Sequence, residues 1–214
     1  MKIRDYSNYH EVTVEEKMLH DSSKIVEMAL NGYDSQSALI DGAESRILLK
    51  SKFNNVDGMG KYIYGRPDEI NRGSVVLTSE ESWLVVTLPE NYRTYKKAMI
   101  YLCNNEFSLA GKDEKILLGY NKLKEPQYKI IKGESTSHPC YISVSAPSFT
   151  DGKPINVPDS DLSITMPYKV HSDLEEGKIH EFYGQNYQFV GIDRTKVINE
   201  KGILIIYAKR MVNS

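Results

Sequence analysis

The sequence predicts a mainly β chain, with two small β-barrel or sandwich modules behind an N-terminal helix. Three observations carry this expectation. Residues 73–104 and 177–208 share one pattern of side chains at an offset of 104 positions, without a gap. Ten short segments read as strands bounded by turn residues, several of them with clean apolar–polar alternation. One segment near the N-terminus has helical spacing behind a capping sequence.

The helix comes first. Thr13-Val14-Glu15-Glu16 fits a capping box, in which the Thr13 hydroxyl meets an amide three residues on and Glu16 reaches back. Val14, Met18, Ile25, Val26, Met28, Ala29 and Leu30 fall mostly on one face, and Asn31-Gly32 is a stop. The spacing predicts a helix over 14–30, weakened in its middle by His20-Asp21-Ser22-Ser23. Strands are expected over 46–50, 74–78, 83–88, 98–103, 127–131, 140–146, 162–168, 178–183, 187–192 and 203–208. Asp57-Gly58, Arg72-Gly73, Asp151-Gly152, Gly177, Gly184 and Lys201-Gly202 supply the turns between them. Residues 54–70 and 147–160 read as irregular loops.

The repeat is one of pattern rather than identity, since only three of its 32 aligned pairs are identical. Gly73 falls on Gly177, Trp83 on Tyr187, and Val85-Val86 on Phe189-Val190. Ala98-Met99-Ile100-Tyr101-Leu102 falls on Gly202-Ile203-Leu204-Ile205-Ile206. A one-residue slip would turn every side chain to the wrong face, so an ungapped register is informative. Extended upstream, it pairs Arg46–Lys50 with Leu162–Met166 and leaves Ser51–Asn71 as an insertion in the first module. The domains expected are a helical segment over 1–45, a first β-module over 46–132 and a second over 133–214.

Composition is that of a globular protein, with 26% charged and 40% apolar residues in 214. Fifteen tyrosines against one tryptophan favour half-buried strands and interfaces, because the ring packs while its hydroxyl stays wet. Met1-Lys2-Ile3-Arg4-Asp5-Tyr6 lacks a signal-peptide core, and no apolar run approaches a membrane span. Cys103 and Cys140 sit in strand patterns, as two reduced, buried thiols would. A soluble, intracellularly made protein is expected. Residues 1–90 hold 10 basic and 15 acidic side chains, whereas residues 91–132 hold 9 and 4. A head-to-tail contact between identical subunits could use that asymmetry.

No constellation announces catalysis, and no catalytic, cofactor or metal residue is assigned. His138 and Cys140 share a face of a strand about 6–7 Å apart, too far for direct proton transfer. They also lack further ligands for zinc. His171-Ser172-Asp173 reads as a solvent-facing turn, and Glu80-Glu81 and Glu175-Glu176 as solvated turns. Asp57-Gly58-Met59-Gly60-Lys61 leads into Tyr62-Ile63-Tyr64, which is strand-prone, and has no Ser/Thr after its lysine, so it is no phosphate loop. Lys112, Lys115, Lys122, Lys124, Lys129 and Lys132 interleave with Phe107, Tyr120 and Tyr128. That mixture can track phosphates and stack bases. A solvated basic face is the plainer reading.

Arg72-Gly73-Ser74-Val75-Val76, then Trp83-Leu84-Val85-Val86-Thr87 and Lys96-Lys97-Ala98-Met99-Ile100-Tyr101-Leu102-Cys103-Asn104, resembles neck proteins of long-tailed bacteriophages and prophages. Residues 158–210 are similar in style, and Ser74 stands where that pattern would have aspartate. The resemblance implies a non-enzymatic virion protein, made in the bacterial host cytoplasm. It would form a homo-oligomeric ring in the head–tail connector, as adaptor, stopper or tail-completion protein. Its partners would be other neck, portal or tail proteins, with non-specific contact to packaged DNA, and neither cofactor nor membrane. The rival reading is a cellular nucleic-acid-binding β-barrel that uses the basic 107–132 segment.

Overall fold

The computed structural model describes residues 13–51, 59–111, 114–121, 123–144 and 160–211. The described residues are mainly β, with one helix and two barrel modules. Helix α1 spans Val14–Leu30. The strands of the first unit are β1 (Ser35–Ile40), β2 (Ala43–Ser51), β3 (Gly60–Gly65), β4 (Val75–Leu77), β5 (Ser82–Val85), β6 (Glu90–Asn91) and β7 (Lys96–Leu102). Those of the second are β8 (Asn105–Leu109), β9 (Glu114–Tyr120), β10 (Pro126–Ile131), β11 (Thr136–Ser143), β12 (Leu162–Pro167), β13 (Ile179–Phe182), β14 (Gln185–Asp193), β15 (Val197–Ile198) and β16 (Lys201–Arg210).

In the first unit six strands close on themselves in the order β3-β2-β1-β4-β5-β7, with β7 returning to β3. All six residues of β3 pair with Lys96–Tyr101 of β7, and Leu39 and Ile40 of β1 meet Leu77 and Val76 of β4. Closure removes the open edges a flat sheet would expose. The interior holds Ile40, Ile47, Ile63, Ile70, Val76, Trp83, Val85 and Ile100, each nearly or fully buried. Apart from Ile70, which enters from the loop between β3 and β4, these sit on the inward face of their strands, which is why the sequence's period of two specifies the barrel.

The second unit runs β13-β14-β16-β12-β11-β8. Taken in chain order, β8, β11, β12, β13, β14 and β16 pair in the same scheme as β1, β2, β3, β4, β5 and β7. One pairing is missing among the described residues: no ladder joins β8 to β13, so this barrel stays half open. Its core is more aromatic. Phe107 lies 5.9 Å from Phe182 and 6.1 Å from Phe189, with Leu162, Ile164, Met166, Leu204 and Ile206 around them.

The 104-residue repeat survives at the level of single hydrogen bonds. Gly73 N–H donates to Val85 O at 2.8 Å, and Gly177 N–H donates to Phe189 O at 2.8 Å. Val85 N–H meets Ser74 O at 3.0 Å, and Phe189 N–H meets Lys178 O at 2.9 Å. Val76 faces Trp83, as His180 faces Tyr187. The two glycines sit at φ 88° and 86°, in the left-handed region that glycine reaches without strain.

Three expectations need correction. In the last strand the ungapped register fails. Val85 lies opposite Ile100 but Phe189 opposite Ala208, four residues beyond Leu204, with a bulge between Phe189 and Gly191. An even displacement keeps each side chain on its face, so the pattern still looked aligned. The upstream extension was misplaced too. β12 has its counterpart in β3, inside the stretch read as an irregular insertion, and not in Arg46–Lys50. Finally, the compact units divide between Leu102 and Cys103, not at 45 and 132. β1 and β2 belong to the first barrel, and β8 pairs with β11 of the second.

Two substitutions test the shared turn. Gly73→Ala and Gly177→Ala should each cost about 1–2 kcal/mol, the penalty for an L-residue held left-handed. Gly202→Ala should cost more, because its Cβ would lie 2.2 Å from Lys196 O. Urea unfolding of the three variants would rank them.

Candidate functional site

The described residues offer two surfaces with unused apolar area, and both arise from local sequence. The first is the β9–β10 hairpin, which forms a two-stranded sheet of its own. A lone hairpin of this kind is marginal in water, and packing of a face against another surface would stabilise it. Leu117 lies opposite Tyr128 and Lys115 opposite Ile130 on one face, while Ile116 lies opposite Lys129 on the other. Ile116, Leu117, Leu118, Leu123, Tyr128, Ile130 and Ile131 are all exposed. Asn121 orders the tip: its side-chain oxygen accepts from Leu123 N–H and Glu125 N–H, both at 2.9 Å. Lys124 stands there in the left-handed region at φ 64°.

The second surface is α1. The capping box forms as expected, with Glu16 N–H donating to Thr13 Oγ1 at 3.3 Å and Thr13 N–H donating to Glu16 at 2.8 Å. Its apolar face does not pack inward, however. Only Leu30 is buried, and Val14, Met18, Ile25 and Met28 are exposed. Polar ties hold the helix instead. Arg66 donates from two nitrogens to Glu27 at 2.8 and 2.9 Å, and Arg46 donates to Leu30 O at 3.1 Å. The Arg66 guanidinium holds the Glu27 carboxyl below the usual carboxylate range.

The residues weighed for chemistry are mostly occupied in holding the fold. Cys140 is fully buried in the second core, and burial pushes its thiol up to about 12, so it stays protonated at neutral pH. Cys103, half-buried, is also pushed up to about 12, and both cysteines are free. The His138 imidazole lies 3.3 Å from Thr136 Oγ1, and burial, Lys169 and His171 push its pKa down. Gly60-Lys61 opens a strand, with Lys61 Nζ 4.3 Å from the centre of the Trp83 ring. Glu81 ends a turn from Thr78, and Glu175 and Glu176 are solvated.

His171 and Asp173 depart from expectation. They are half-buried and clasp the end of β8 at the open side of the second barrel. Ala110 N–H donates to Asp173 Oδ2 at 2.9 Å, and His171 Nε2 lies 2.8 Å from Ala110 O. Since His171 Nδ1 accepts from Asp173 N–H at 3.1 Å, the neutral ring carries its proton on Nε2 and donates it to that carbonyl. Side chains thus satisfy both the N–H and the C=O of Ala110, the residue that follows β8. A cleft of about 680 Å³ lies beside this clasp, lined by Tyr168, Lys169, His171, Asp173 and Arg194 among others. Its charges are mixed, and His171 and Asp173 are already engaged.

The basic segment is split by the fold. Lys115, Lys124, Lys129 and Tyr128 lie exposed on the hairpin. Phe107 is buried in the second core and cannot stack on a base, which corrects its place in that cluster. Lys112, Lys122 and the Tyr120 side chain lie outside the described residues. β9 itself was missed. Ile116-Leu117-Leu118 was the available signal, overshadowed by the lysines around it.

Residues 8–102 match the model of the YomX N-terminal domain, and residues 107–209 that of the YomX C-terminal domain. The chain is 36% identical over 214 residues to the SPbeta prophage-derived uncharacterized protein YomX of Bacillus subtilis (strain 168), with 98% of each chain covered. It therefore belongs to the YomX family, which has a prophage-derived member. The two family domains meet where the two compact units meet. No solved structure matches the chain.

Cys140→Ser places a hydroxyl in an apolar core and should cost about 1–3 kcal/mol without abolishing folding. The native thiols should resist alkylation at neutral pH until the protein unfolds. For Glu27, a depressed carboxylate pKa contributes stability that is present above its unfolded value and lost as pH falls through the folded one. Protection of the C-terminal α1 amides, taken relative to the intrinsic exchange rate, should therefore fall on acidification through the carboxylate range, and Arg66→Ala should weaken that dependence.

Proposed function

We propose that this chain is a structural protein of a tailed-phage particle, a ring-forming component of the head–tail connector. The observation that carries the reading is the β9–β10 arm. It is basic, apolar on both faces, and held out of either barrel core in a chain whose family has a prophage-derived member. An arm of this kind supports assembly, because its exposed leucines and isoleucines favour burial against another surface at about 25 cal/mol per Å². The duplicated barrels give two compact units from which neighbouring rings could be contacted. The acidic first 90 residues and the basic 91–132 segment suit contact between successive subunits, with charge setting register and encounter rate. The chain would do no chemistry and would hold position in the virion. Its partners would be copies of itself and adjoining portal, neck or tail proteins.

A second reading keeps Lys115, Lys124, Lys129 and Tyr128 as a strip that follows a nucleic-acid backbone. The burial of Phe107 leaves that strip one described aromatic fewer.

Mass photometry of the purified chain, alone and after induction of its prophage, separates the two. The connector reading expects closed oligomers and gold-labelled antibody at the neck of released particles. A monomer absent from particles, binding oligonucleotides with steep salt dependence, would favour the second.

A further inference from the structure

The β9–β10 hairpin is apolar on every side. Leu117, Tyr128 and Ile130 share one face, Ile116 and Ile131 the other, and all are exposed. At the tip Leu123, 80% exposed, stands between Lys122 and Lys124 in the sequence. The hairpin is also basic. Residues 112–132 hold six lysines against Asp113, Glu114 and Glu125, a net +3 in a chain of net −2. Lys115, Lys124, Lys129 and Lys132 are exposed and have no carboxylate partner among the described residues. The Glu125 carboxyl turns to the tip instead, where it accepts from Asn121 Nδ2 at 2.8 Å. We propose that the hairpin docks tip first on an anionic phospholipid surface.

Charge and the placing of the apolar residues favour this occupant. Free lysines around apolar side chains suit an anionic interface, because the lysine stem lies in the apolar layer while its ammonium stays with the phosphates. A fluid interface also surrounds a hairpin on all sides, whereas one protein surface covers a single face. Nucleic acid offers the same phosphates but asks for rings on which bases stack. The described residues of the hairpin offer Tyr128 against six exposed aliphatic side chains, which stacking would leave in water.

The hairpin dips and does not cross. A two-stranded ribbon has open edges, whose N–H and C=O groups must stay with water or headgroups. Interfacial segments enter by about 5–10 Å, which takes Leu123 and the strand ends nearest it into the acyl boundary. Tyr128 and the lysines remain at headgroup level, where amphipathic side chains settle. A membrane partner departs from what the neck-protein resemblance implied. It also stands apart from the connector reading, since a ring and a single copy could each present the hairpin to a bilayer.

Vesicle flotation of the purified chain tests this. Vesicles of equal parts phosphatidylglycerol and phosphatidylcholine should bind at least about tenfold more protein than vesicles of phosphatidylcholine alone. Leu123→Asp should lower binding by about tenfold with an unchanged Tm, because Leu123 is 80% exposed. Leu123→Trp supplies a reporter, since the one native tryptophan, Trp83, is buried. Its emission should shift to the blue on the anionic vesicles and stay in place with a single-stranded oligonucleotide. Flotation that ignores Leu123→Asp, or that phosphatidylcholine alone supports equally, would overturn the docking. A reporter already blue-shifted in the protein by itself would assign the tip to a protein contact, which overturns it too. So would a chain that floats with neither vesicle, whether or not it binds the oligonucleotide. Oligomeric state measured without lipid reports separately on the connector reading.

Discussion

The first barrel depends on the ladder between Gly60–Gly65 and Lys96–Tyr101. Of the barrel's other strand pairs, four join strands consecutive or nearly so in the chain. The fifth, β1–β4, spans the β2–β3 hairpin over two residue pairs only. Together they could form a curled open sheet, which the six-pair β3–β7 ladder closes. This one joins strands separated by the β4–β5 hairpin, and it turns the sheet into a cylinder. Trp83, Ile63 and Ile100 then share an interior instead of lying along one exposed face. β12 and β16 make the equivalent ladder in the second unit, again over six residues. Both strands are buried throughout that ladder.

The two barrels differ in how the remaining seam is sealed. In the first, backbone meets backbone between β1 and β4, and Asp41 extends the seam by accepting from Val75 N–H at 2.8 Å while its own N–H donates to Val75 O at 2.9 Å. In the second, His171 and Asp173 do the corresponding work on Ala110, and rings fill the gap. His180 stacks on Phe189 at 4.7 Å and lies 4.9 Å from Phe107. Each device leaves few buried polar groups without partners, which a barrel seam demands.

Much of this was legible because burial on one face writes a period of two into the sequence. All ten expected strands are present, and the glycine turns at 73 and 177 marked equivalent places in both modules. What escaped notice had specific causes. β3 begins and ends in glycine and is followed by Pro67, so it reads as loop. β1 opens with Ser-Gln-Ser and shows its apolar residues only at its end. β8 alternates, but Phe107 was grouped with the lysines downstream. Helical periodicity revealed a stripe on α1 without revealing that it would face outward, since spacing specifies a face and not its neighbour. The clasp of His171 on Ala110 spans 61 residues and follows from no local pattern.

The arm occupies a particular address. Between β1 and β2 the first barrel has only Asp41 and Gly42, whereas the equivalent connection in the second, from β8 to β11, carries the whole β9–β10 ribbon. Loop-closure entropy grows with the logarithm of length, so more than tenfold elongation of a hairpin tip costs about 2 kcal/mol. The barrel beneath need not change to accommodate it. The ribbon therefore behaves as a detachable appendage: its sequence can drift, shorten or be exchanged wholesale among kin without renegotiating the core that carries it. Selection on what the protein touches is thereby separated, along the chain, from selection on whether it folds.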